Sequence, residues 1–151
     1  MKLAFGCDHA GYEDPPPHHA PAIVAYLEEL GHTVEHVGTH GPGSVDYPDF
    51  AERVVERILN KEADLGVLLC GTGMGISIAA NRHKGIRAAA CVTDEMVRLA
   101  RDHNNANILC LGSRVSSIED CKRLLRLFLE TEFSYGDRHE RRIEKLDRIG
   151  C

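Results

Sequence analysis

The sequence contains no tryptophan, and aromatic residues make up only 5% of its 151 positions. Apolar residues nevertheless account for 43% of the chain, which excludes a disordered chain and is enough for one domain with a buried core. No hydrophobic run approaches the length of a membrane-spanning helix. Because Met1-Lys2-Leu3 leads directly into a predicted strand, we expect no signal peptide and a cytoplasmic location.

Paired cysteine motifs are also missing. The six cysteines form no C-x-x-C pair and show no zinc-type spacing; they are Cys7, Cys70, Cys91, Cys110, Cys121 and Cys151. Four of them lie in or at the end of predicted strands, and we interpret all six as free thiols in a reducing compartment. The sequence therefore predicts neither a disulfide framework nor a metal site.

The chain has no excess of positive charge, since its net charge is −5 at pH 7. This balance argues against a nucleic-acid-binding protein. Basic residues are concentrated near the C-terminal end, at Arg138, Arg141, Arg142, Lys145 and Arg148. They either form a solvated helix face paired with Glu140 and Glu144, or hold a phosphate that offsets the unfavourable cations at a helix start.

Strand-like and helix-like segments alternate along the chain. Strands are predicted at Lys2–Cys7, Thr33–Val37, Leu65–Cys70, Arg87–Val92 and Asn107–Leu111, and helices at Ala22–Leu30, Asp49–Asn60, Gly75–Arg82, after Thr93, at Ile118–Glu130 and at Arg138–Ile149. This alternation predicts an α/β fold: a doubly wound, Rossmann-like three-layer sandwich with a five-stranded parallel sheet, in one domain spanning 1–151. Ligands of such sheets bind beyond the carboxyl ends of the strands.

A proline-rich segment between Tyr12 and Pro21 interrupts the pattern. Three consecutive prolines, 15–17, remove backbone donors and cannot lie inside a helix. We expect an exposed loop of polyproline character that borders the mouth of the active site. His18 and His19 belong to this loop as solvated residues, or alternatively contact a metal or a substrate.

The most informative feature is the junction at Cys70. This residue ends a buried strand and is followed by Gly71-Thr72-Gly73-Met74-Gly75, with a helix beginning next. A glycine-rich turn at a helix start points backbone N–H groups at one spot, and it can hold an anion. The same environment favours a thiolate. The alternative is a buried structural thiol.

Two other glycine-loop chemistries fit less well. A tyrosine phosphatase needs an arginine six residues after its cysteine, and Ile76 stands there. A dinucleotide-binding turn has the spacing G-x-G-x-x-G, whereas the glycines here fall at 71, 73 and 75. Asp94 lies about where an acid that binds ribose is found, so this second alternative stays open.

Three polar groups outside this turn are further candidates. Asp8-His9 ends the first strand, either as a polar ligand site or as a helix cap beside a chance histidine. His103-Asn104 follows a helix, where a histidine is also favoured by the helix dipole alone. Arg138-His139 with Arg142 opens the last helix.

Taken together, these motifs resemble the type B ribose-5-phosphate isomerases, which share a family with the galactose-6-phosphate isomerases. The matching stretches are Gly6-Cys7-Asp8-His9-Ala10-Gly11, Asp46-Tyr47-Pro48, residues 70–81, Gly85-Ile86-Arg87-Ala88, His103-Asn104 with Asn107, Leu111-Gly112-Ser113-Arg114, and Arg138-His139 with Arg142. The proline segment departs from the family, whose members usually carry a shorter tract there, often with a lysine.

The resemblance implies that Cys70 is the general base that moves a proton between C1 and C2 of an open-chain sugar phosphate. Thr72 lies beside this base, and His103 helps to open the furanose ring. Some members carry serine instead and use a glutamate, whose place falls at Met74 or Gly75 here. Substrate contacts are implied for Asp8, His9, Tyr47, Gly71, Gly73, Met74, Gly75, Ser77, Asn104, Arg114, Arg138, His139 and Arg142.

Within that set, the resemblance assigns Asp8 and Tyr47 to the sugar hydroxyls and the backbone of 71–75 to the enediolate oxyanion. The phosphate is assigned to His9, Arg114, Arg138, His139 and Arg142. The family uses neither metal nor organic cofactor. It works as a homodimer or a pair of dimers with a shared active site, and we expect the helix at 138–149, with His103 and Asn104, to reach a neighbouring subunit.

The resulting hypothesis is an isomerase that interconverts ribose 5-phosphate and ribulose 5-phosphate through an enediolate. A six-carbon substrate, allose 6-phosphate or galactose 6-phosphate, is the second hypothesis. The third is a non-catalytic nucleotide-binding module built on the same sheet. We expect neither nucleic acid nor membrane among the partners of this chain.

Overall fold

Five strands form one parallel sheet in the structure, a computed structural model that describes residues 1–149. The strands are β1 (Lys2–Cys7), β2 (Thr33–His36), β3 (Leu65–Cys70), β4 (Ala88–Ala90) and β5 (Ile108–Gly112). Their order across the sheet is β2-β1-β3-β5-β4. Five of the six helices within residues 1–149 cover the two faces of the sheet, so the predicted doubly wound α/β fold is confirmed.

The helices are α1 (His19–Glu29), α2 (Tyr47–Leu59), α3 (Met74–Ala80), α4 (Asp94–Asp102), α5 (Ile118–Glu130) and α6 (Asp137–Leu146), with a 3-10 turn at His9–Tyr12. Successive side chains of each strand point to opposite faces of the sheet, so a hydrophobic core lies on each face. One face of the sheet packs against α1, α4 and α5, with Phe5, Leu109 and Phe128 fully buried. The other face packs against α2 and α3, and Cys70 lies on this side.

Several predicted boundaries agree with the structure. Strand β3 and helix α5 have the predicted ends, and Thr93 caps α4 by accepting a hydrogen bond from the Met96 amide at 3.3 Å. Gly31 follows α1 with a φ of +85°, as expected of a glycine at a helix C-terminus. The five cysteines among residues 1–149 are free, and Cys151 lies outside the described residues.

The proline segment differs from its prediction. Helix α1 begins at His19 rather than Ala22, because Pro21 falls in the first turn, where its missing N–H has no helical acceptor. Residues 14–17 are exposed, as predicted, but they bend instead of extending as polyproline. A hydrogen bond between the His18 ring (Nδ1) and the Glu13 carbonyl, at 3.1 Å, draws the two ends of the bend together.

Other elements are shorter than predicted. Strand β4 covers three residues instead of six, and α6 ends at Leu146 instead of Ile149. Strand β4 is one of the two edge strands and pairs only with β5, so its ends lack a second neighbour. Among residues 1–149, no helix combines the length and the apolar composition needed to cross a bilayer.

Gly112 lets β5 lie against the turn that follows β3. A Cβ atom at Gly112 would lie 2.6 Å from the Thr72 carbonyl carbon and 2.7 Å from its Cα. We expect Gly112→Ala to lower the free energy of unfolding by about 1–3 kcal/mol, because backbone would have to move. Gly41→Ala is the matched control, since nothing lies within 4 Å of its added Cβ. Equal urea-unfolding midpoints for the two variants would contradict this prediction.

Candidate functional site

The turn after β3 places a backbone donor on the sulfur of Cys70. The side chain is 5% exposed, and its Sγ accepts a hydrogen bond from the Gly73 amide at 3.2 Å. Gly73 has a φ of +78°, a left-handed conformation that side chains disfavour. An added Cβ would also lie 3.1 Å from the Leu111 backbone. Glycine at this position therefore allows the turn to fold back onto the sulfur.

The hydroxyls near this turn are engaged locally. The Thr72 hydroxyl oxygen accepts from the Met74 amide at 3.3 Å, which leaves its own proton available. The Ser77 hydroxyl donates to the Met74 carbonyl at 2.7 Å, so its proton is used within α3. Thr72 is exposed and Ser77 is buried. Of the two, Thr72 is the residue that can donate to a ligand without breaking a contact.

Tyr47 lies directly over the glycine turn. It is the first residue of α2 and is 39% exposed. A Cβ added at Gly75 would lie 2.8 Å from Tyr47 Cζ and 3.0 Å from its hydroxyl oxygen. A glutamate at position 75 would have to displace this ring. The packing at Gly75 therefore disfavours an acidic side chain at that position.

Asp8 follows the last residue of β1 and is 5% exposed. Its Oδ1 accepts from the Ala10 amide at 2.9 Å, which confirms the cap of the helical turn that follows. Burial raises the pKa of Asp8 above its ordinary value, while the hydrogen bond from Ala10 and the charges of His9 and Arg114 partly oppose that shift. Asp8 is therefore a buried carboxylate with one oxygen left for a ligand.

One hydrogen bond determines which ring nitrogen of His9 carries the proton. Its Nδ1 accepts a hydrogen bond from the Val45 amide at 3.3 Å. Because an amide can only donate, the neutral ring carries its proton on Nε2. The His9 side chain can therefore donate to a sugar or phosphate oxygen through Nε2.

Arg114 follows β5 and lies over Gly71. A Cβ at Gly71 would come within 3.0 Å of Arg114 Nη1 and 3.2 Å of its Cδ. The other edge of the guanidinium is occupied, since Nε donates to Glu13 Oε2 at 3.0 Å and Nη2 donates to Glu13 Oε1. This pairing raises the pKa of Arg114 and lowers that of Glu13.

A second cluster surrounds His103 and His139. Their rings stack with centroids 4.3 Å apart and an interplanar angle of 12°. His103 Nε2 lies 3.5 Å from an Asp102 carboxylate oxygen, and Arg138 Nε donates to His139 Nε2 at 3.4 Å. Burial of His139, then the nearby His103, Arg138 and Arg142, lowers its pKa. His139 is therefore neutral near pH 7 in the isolated chain.

These two clusters lie at opposite edges of the sheet. Cys70 pairs with Gly112 at the end of β5, whereas Gly66 pairs with Ile108 at its beginning. Four residues of strand span about 13 Å. His103 precedes β5 and so lies at the amino edge. Within one chain, the sheet separates Cys70 from the C-terminal guanidinium groups.

A cavity of about 400 Å³ lies near the second cluster rather than beside Cys70. Asn104, Ala100 and Ala106 contribute to its lining, as do Leu146 and Ile149 at the C-terminal end. Asn104 is exposed and borders this space. Cys70 is not among its lining residues; the turn after Cys70 contacts Arg114 at Gly71 and Tyr47 at Gly75.

Sequence reasoning missed Glu13, for which no motif existed, and assigned no role to Asp102. The Asp102-His103 dipeptide was a usable signal, because a carboxylate beside a histidine commonly orients its ring. His19 Nε2 hydrogen-bonds the Ser116 carbonyl at 2.9 Å, so both loop histidines contact backbone carbonyls. Among residues 1–149, no group of three histidine, cysteine or acidic side chains could hold a metal ion.

Comparison with known proteins identifies the family. The sequence pattern of the ribose/galactose isomerase family matches residues 3–146. The chain is 42% identical to ribose-5-phosphate isomerase B of Escherichia coli, over 98% of this chain and 95% of that protein. It is 36% identical to the galactose-6-phosphate isomerase subunit LacB of Clostridium acetobutylicum, over 99% of this chain and 83% of the other.

A solved structure agrees with these relatives. The crystal structure of a ribose 5-phosphate isomerase from Thermotoga maritima superposes with a TM-score of 0.91 at 51% identity, and 98% of each chain is covered. The chain belongs to the ribose/galactose isomerase family. The resemblance drawn from the sequence motifs is therefore confirmed.

The buried charge of Asp8 has a measurable effect on stability. Because its pKa is raised, the native state binds a proton more readily than the unfolded chain, and stability falls as pH rises from about 4 through the raised value. Asp8→Asn removes the charge and keeps an acceptor for Ala10. We expect a higher melting temperature at pH 7, by about 2–4 °C per kcal/mol gained, and a smaller gain near pH 4.

Asp8→Ala is the matched comparison for this measurement. It removes both the charge and the acceptor, so the Ala10 amide loses its partner, at a cost of about 1 kcal/mol. Calorimetric melting of both variants across this pH range checks the prediction. A lower melting temperature for Asp8→Asn than for the native chain at pH 7 would overturn it.

Proposed function

We propose that this protein is a cofactor-independent aldose–ketose isomerase that interconverts ribose 5-phosphate and ribulose 5-phosphate. Membership of the family supports the reaction class. The relatives from E. coli and T. maritima carry the name ribose 5-phosphate isomerase. The observation that carries the proposal is the glycine turn, which holds the Cys70 sulfur under a backbone amide beside Asp8, Tyr47 and Arg114.

Cys70 acts as the base in this mechanism. Its thiolate takes the proton from C2 of the open-chain aldose, the C–H electron pair forms the C1–C2 double bond, and the carbonyl π electrons move onto O1. The O2 proton of this enediolate passes to O1, which leaves the negative charge on O2. The O2 electrons then form the C2 carbonyl while C1 takes the proton from the Cys70 thiol, which gives the ketose and restores the thiolate. A positioned acid–base group of this kind contributes about 10²–10⁴-fold to the rate.

The turn at 71–75 stabilises the charge that develops. Backbone N–H groups are fixed before the reaction, and one such donor to an oxyanion is worth about 3 kcal/mol. The Gly73 amide contacts the sulfur and the Met74 amide donates to the Thr72 hydroxyl, so the amides of Gly71, Thr72 and Gly75 are left to serve the enediolate. Thr72 keeps a free hydroxyl proton for a substrate oxygen. The unused oxygen of Asp8 and the Tyr47 hydroxyl contact the sugar hydroxyls.

In this proposal, residues of two subunits bind the phosphate group of the substrate. His103, Arg138 and Arg142 lie at the sheet edge opposite Cys70, so one chain cannot bring them to its own sulfur. We propose a homodimer, or a pair of dimers, in which this edge of one subunit covers the Cys70 turn of the other. Phosphate is then held by His9 and Arg114 from one subunit, and by Arg138, His139 and Arg142 from the second.

His103 has the chemistry for ring opening. The furanose must lose a proton from its C1 hydroxyl and gain one on the ring oxygen before C2 can react. His103 is half-exposed, stacks on His139 and lies near the Asp102 carboxylate, which orients its ring. Asn104 is the next residue, and in the proposed dimer it extends from the same edge toward the Cys70 turn of the other subunit.

A six-carbon sugar phosphate is the second candidate substrate. The relative from C. acetobutylicum is a galactose-6-phosphate isomerase subunit, and it matches nearly the whole of this chain. Relative kcat/KM for ribose 5-phosphate, allose 6-phosphate and galactose 6-phosphate decides between these substrates. Bound nucleotide in the purified protein, without turnover of any sugar phosphate, would instead support a nucleotide-binding module.

Replacement of Cys70 tests the base. We expect Cys70→Ala to lower kcat on ribose 5-phosphate by about 10²–10⁴-fold, because the proton acceptor is lost while the backbone turn remains. A coupled ribulose 5-phosphate assay measures this loss. Cys121→Ala is the control, since Cys121 is equally buried but lies in the core on the other face of the sheet. Near-native kcat in Cys70→Ala would rule out this base.

Mixing two inactive variants tests the shared site. Cys70→Ala and Arg142→Ala each disable both sites of a symmetric dimer, but a mixed dimer keeps one site with both residues. Random exchange makes half of the dimers mixed, so about a quarter of native activity returns. Co-refolding at equal concentrations and assay of the mixture measure this. A mixture no more active than the average of its two parents would mean that each site belongs to one subunit.

A further inference from the structure

We propose that Glu13 sets the affinity for the phosphorylated substrate by competing with the phosphate for Arg114. This inference rests on the proposed function and names a residue that the family resemblance did not include. Glu13 lies between the cap turn at His9–Tyr12 and the exposed bend at 14–17. It belongs to the proline segment, in which this chain departs from the family pattern.

The geometry of the Glu13–Arg114 pair shows which donors of the guanidinium Glu13 occupies. Its two carboxylate oxygens accept from Nε and Nη2 of Arg114, which form one edge of the guanidinium. A phosphate binds such an edge with two parallel hydrogen bonds in the same way. The Cδ and Nη1 atoms of Arg114 lie against Gly71, so that side of the guanidinium faces the turn. Carboxylate and phosphate therefore compete for the same donors.

The electrostatics favour competition over permanent pairing. Arg114 holds the pKa of Glu13 below its ordinary value, so Glu13 stays ionised at neutral pH and repels an approaching phosphate. The side chains of Arg114 and Glu13 are 56% and 38% exposed. Ion pairs with this exposure are weak. The substrate phosphate can consequently displace Glu13.

The segment that carries Glu13 has a separate anchor. At its far end, the His19 ring hydrogen-bonds the Ser116 carbonyl, two residues beyond Arg114. The His18 ring holds the Glu13 carbonyl, which closes the bend itself. Loss of the Glu13–Arg114 contact therefore frees one side chain and leaves the bend attached. Release of Arg114 does not require the segment to unfold.

Glu13→Gln tests the competition. The amide keeps the size of the side chain but loses the charge, so we expect tighter binding of inorganic phosphate and a lower KM for ribose 5-phosphate, each by about two- to fivefold. The expected kcat stays within about twofold of native, because Cys70 and its turn are untouched. A side chain that only supported the loop would raise KM when removed, so a higher or unchanged KM overturns the proposal.

Asp14→Asn is the matched control. It removes the same charge from the next residue, whose carboxylate is 84% exposed and has its nearest cation, His18, 3.9 Å away. We expect its phosphate affinity and KM to equal those of the native protein. An Asp14→Asn effect as large as that of Glu13→Gln would assign the change to general charge and overturn the proposal.

A double variant checks that Glu13 acts through Arg114. In an Arg114→Gln background, Glu13→Gln is expected to change phosphate affinity by less than about 1.5-fold, since the contested donors are gone. An undiminished effect there would contradict the proposal. Calorimetric titration with inorganic phosphate gives this result even without turnover. Absence of turnover on every sugar phosphate would contradict the proposed function. The phosphate titration decides the role of Glu13 separately.

Discussion

The register of β3 between β1 and β5 is the constraint on which the candidate site depends. Cys7 pairs with Leu69 and Cys70 pairs with Gly112, so three strands end side by side at one edge of the sheet. The next residues of each strand then share a small space. Asp8, the turn after Cys70 and Arg114 meet there because parallel strands carry their ends to the same edge. A shift of one residue would turn Cys70 to the opposite face.

Charge is distributed unevenly between the two edges of the sheet. At the carboxyl edge, the carboxylates of Asp8 and Glu13 outnumber the guanidinium of Arg114, so an isolated chain presents a poor field for a phosphate dianion. The amino edge carries Arg138 and Arg142 beside a neutral His139. An enzyme with a net charge of −5 can bind an anionic sugar when these edges come together in an assembly. Electrostatics and topology thus both support the proposed shared site.

Local patterns predicted the sheet and the glycine turn behind Cys70 well. The apolar run ending at Cys70 and the glycines behind it determine a strand and a turn through short-range preferences alone. The predicted start of α1 at Ala22 is wrong, because a proline such as Pro21 is tolerated in the first turn of a helix. The polyproline expectation failed because His18 closes a contact with the Glu13 carbonyl. That hydrogen bond depends on side-chain placement, which no local propensity contains.

By itself, the sequence determined the alternation of strands and helices, the glycine turn behind Cys70 and the motifs that identify the family. Hydrophobic periodicity and glycine conformation act over a few residues, and they can be inferred without coordinates. Only the tertiary structure decided that Glu13 pairs with Arg114, that Tyr47 lies over Gly75, and that His103 and His139 stack at the edge away from Cys70. These contacts join residues distant in the chain or fix side-chain directions. Both depend on the strand order and on how the helices pack across the sheet, so local sequence patterns cannot predict them.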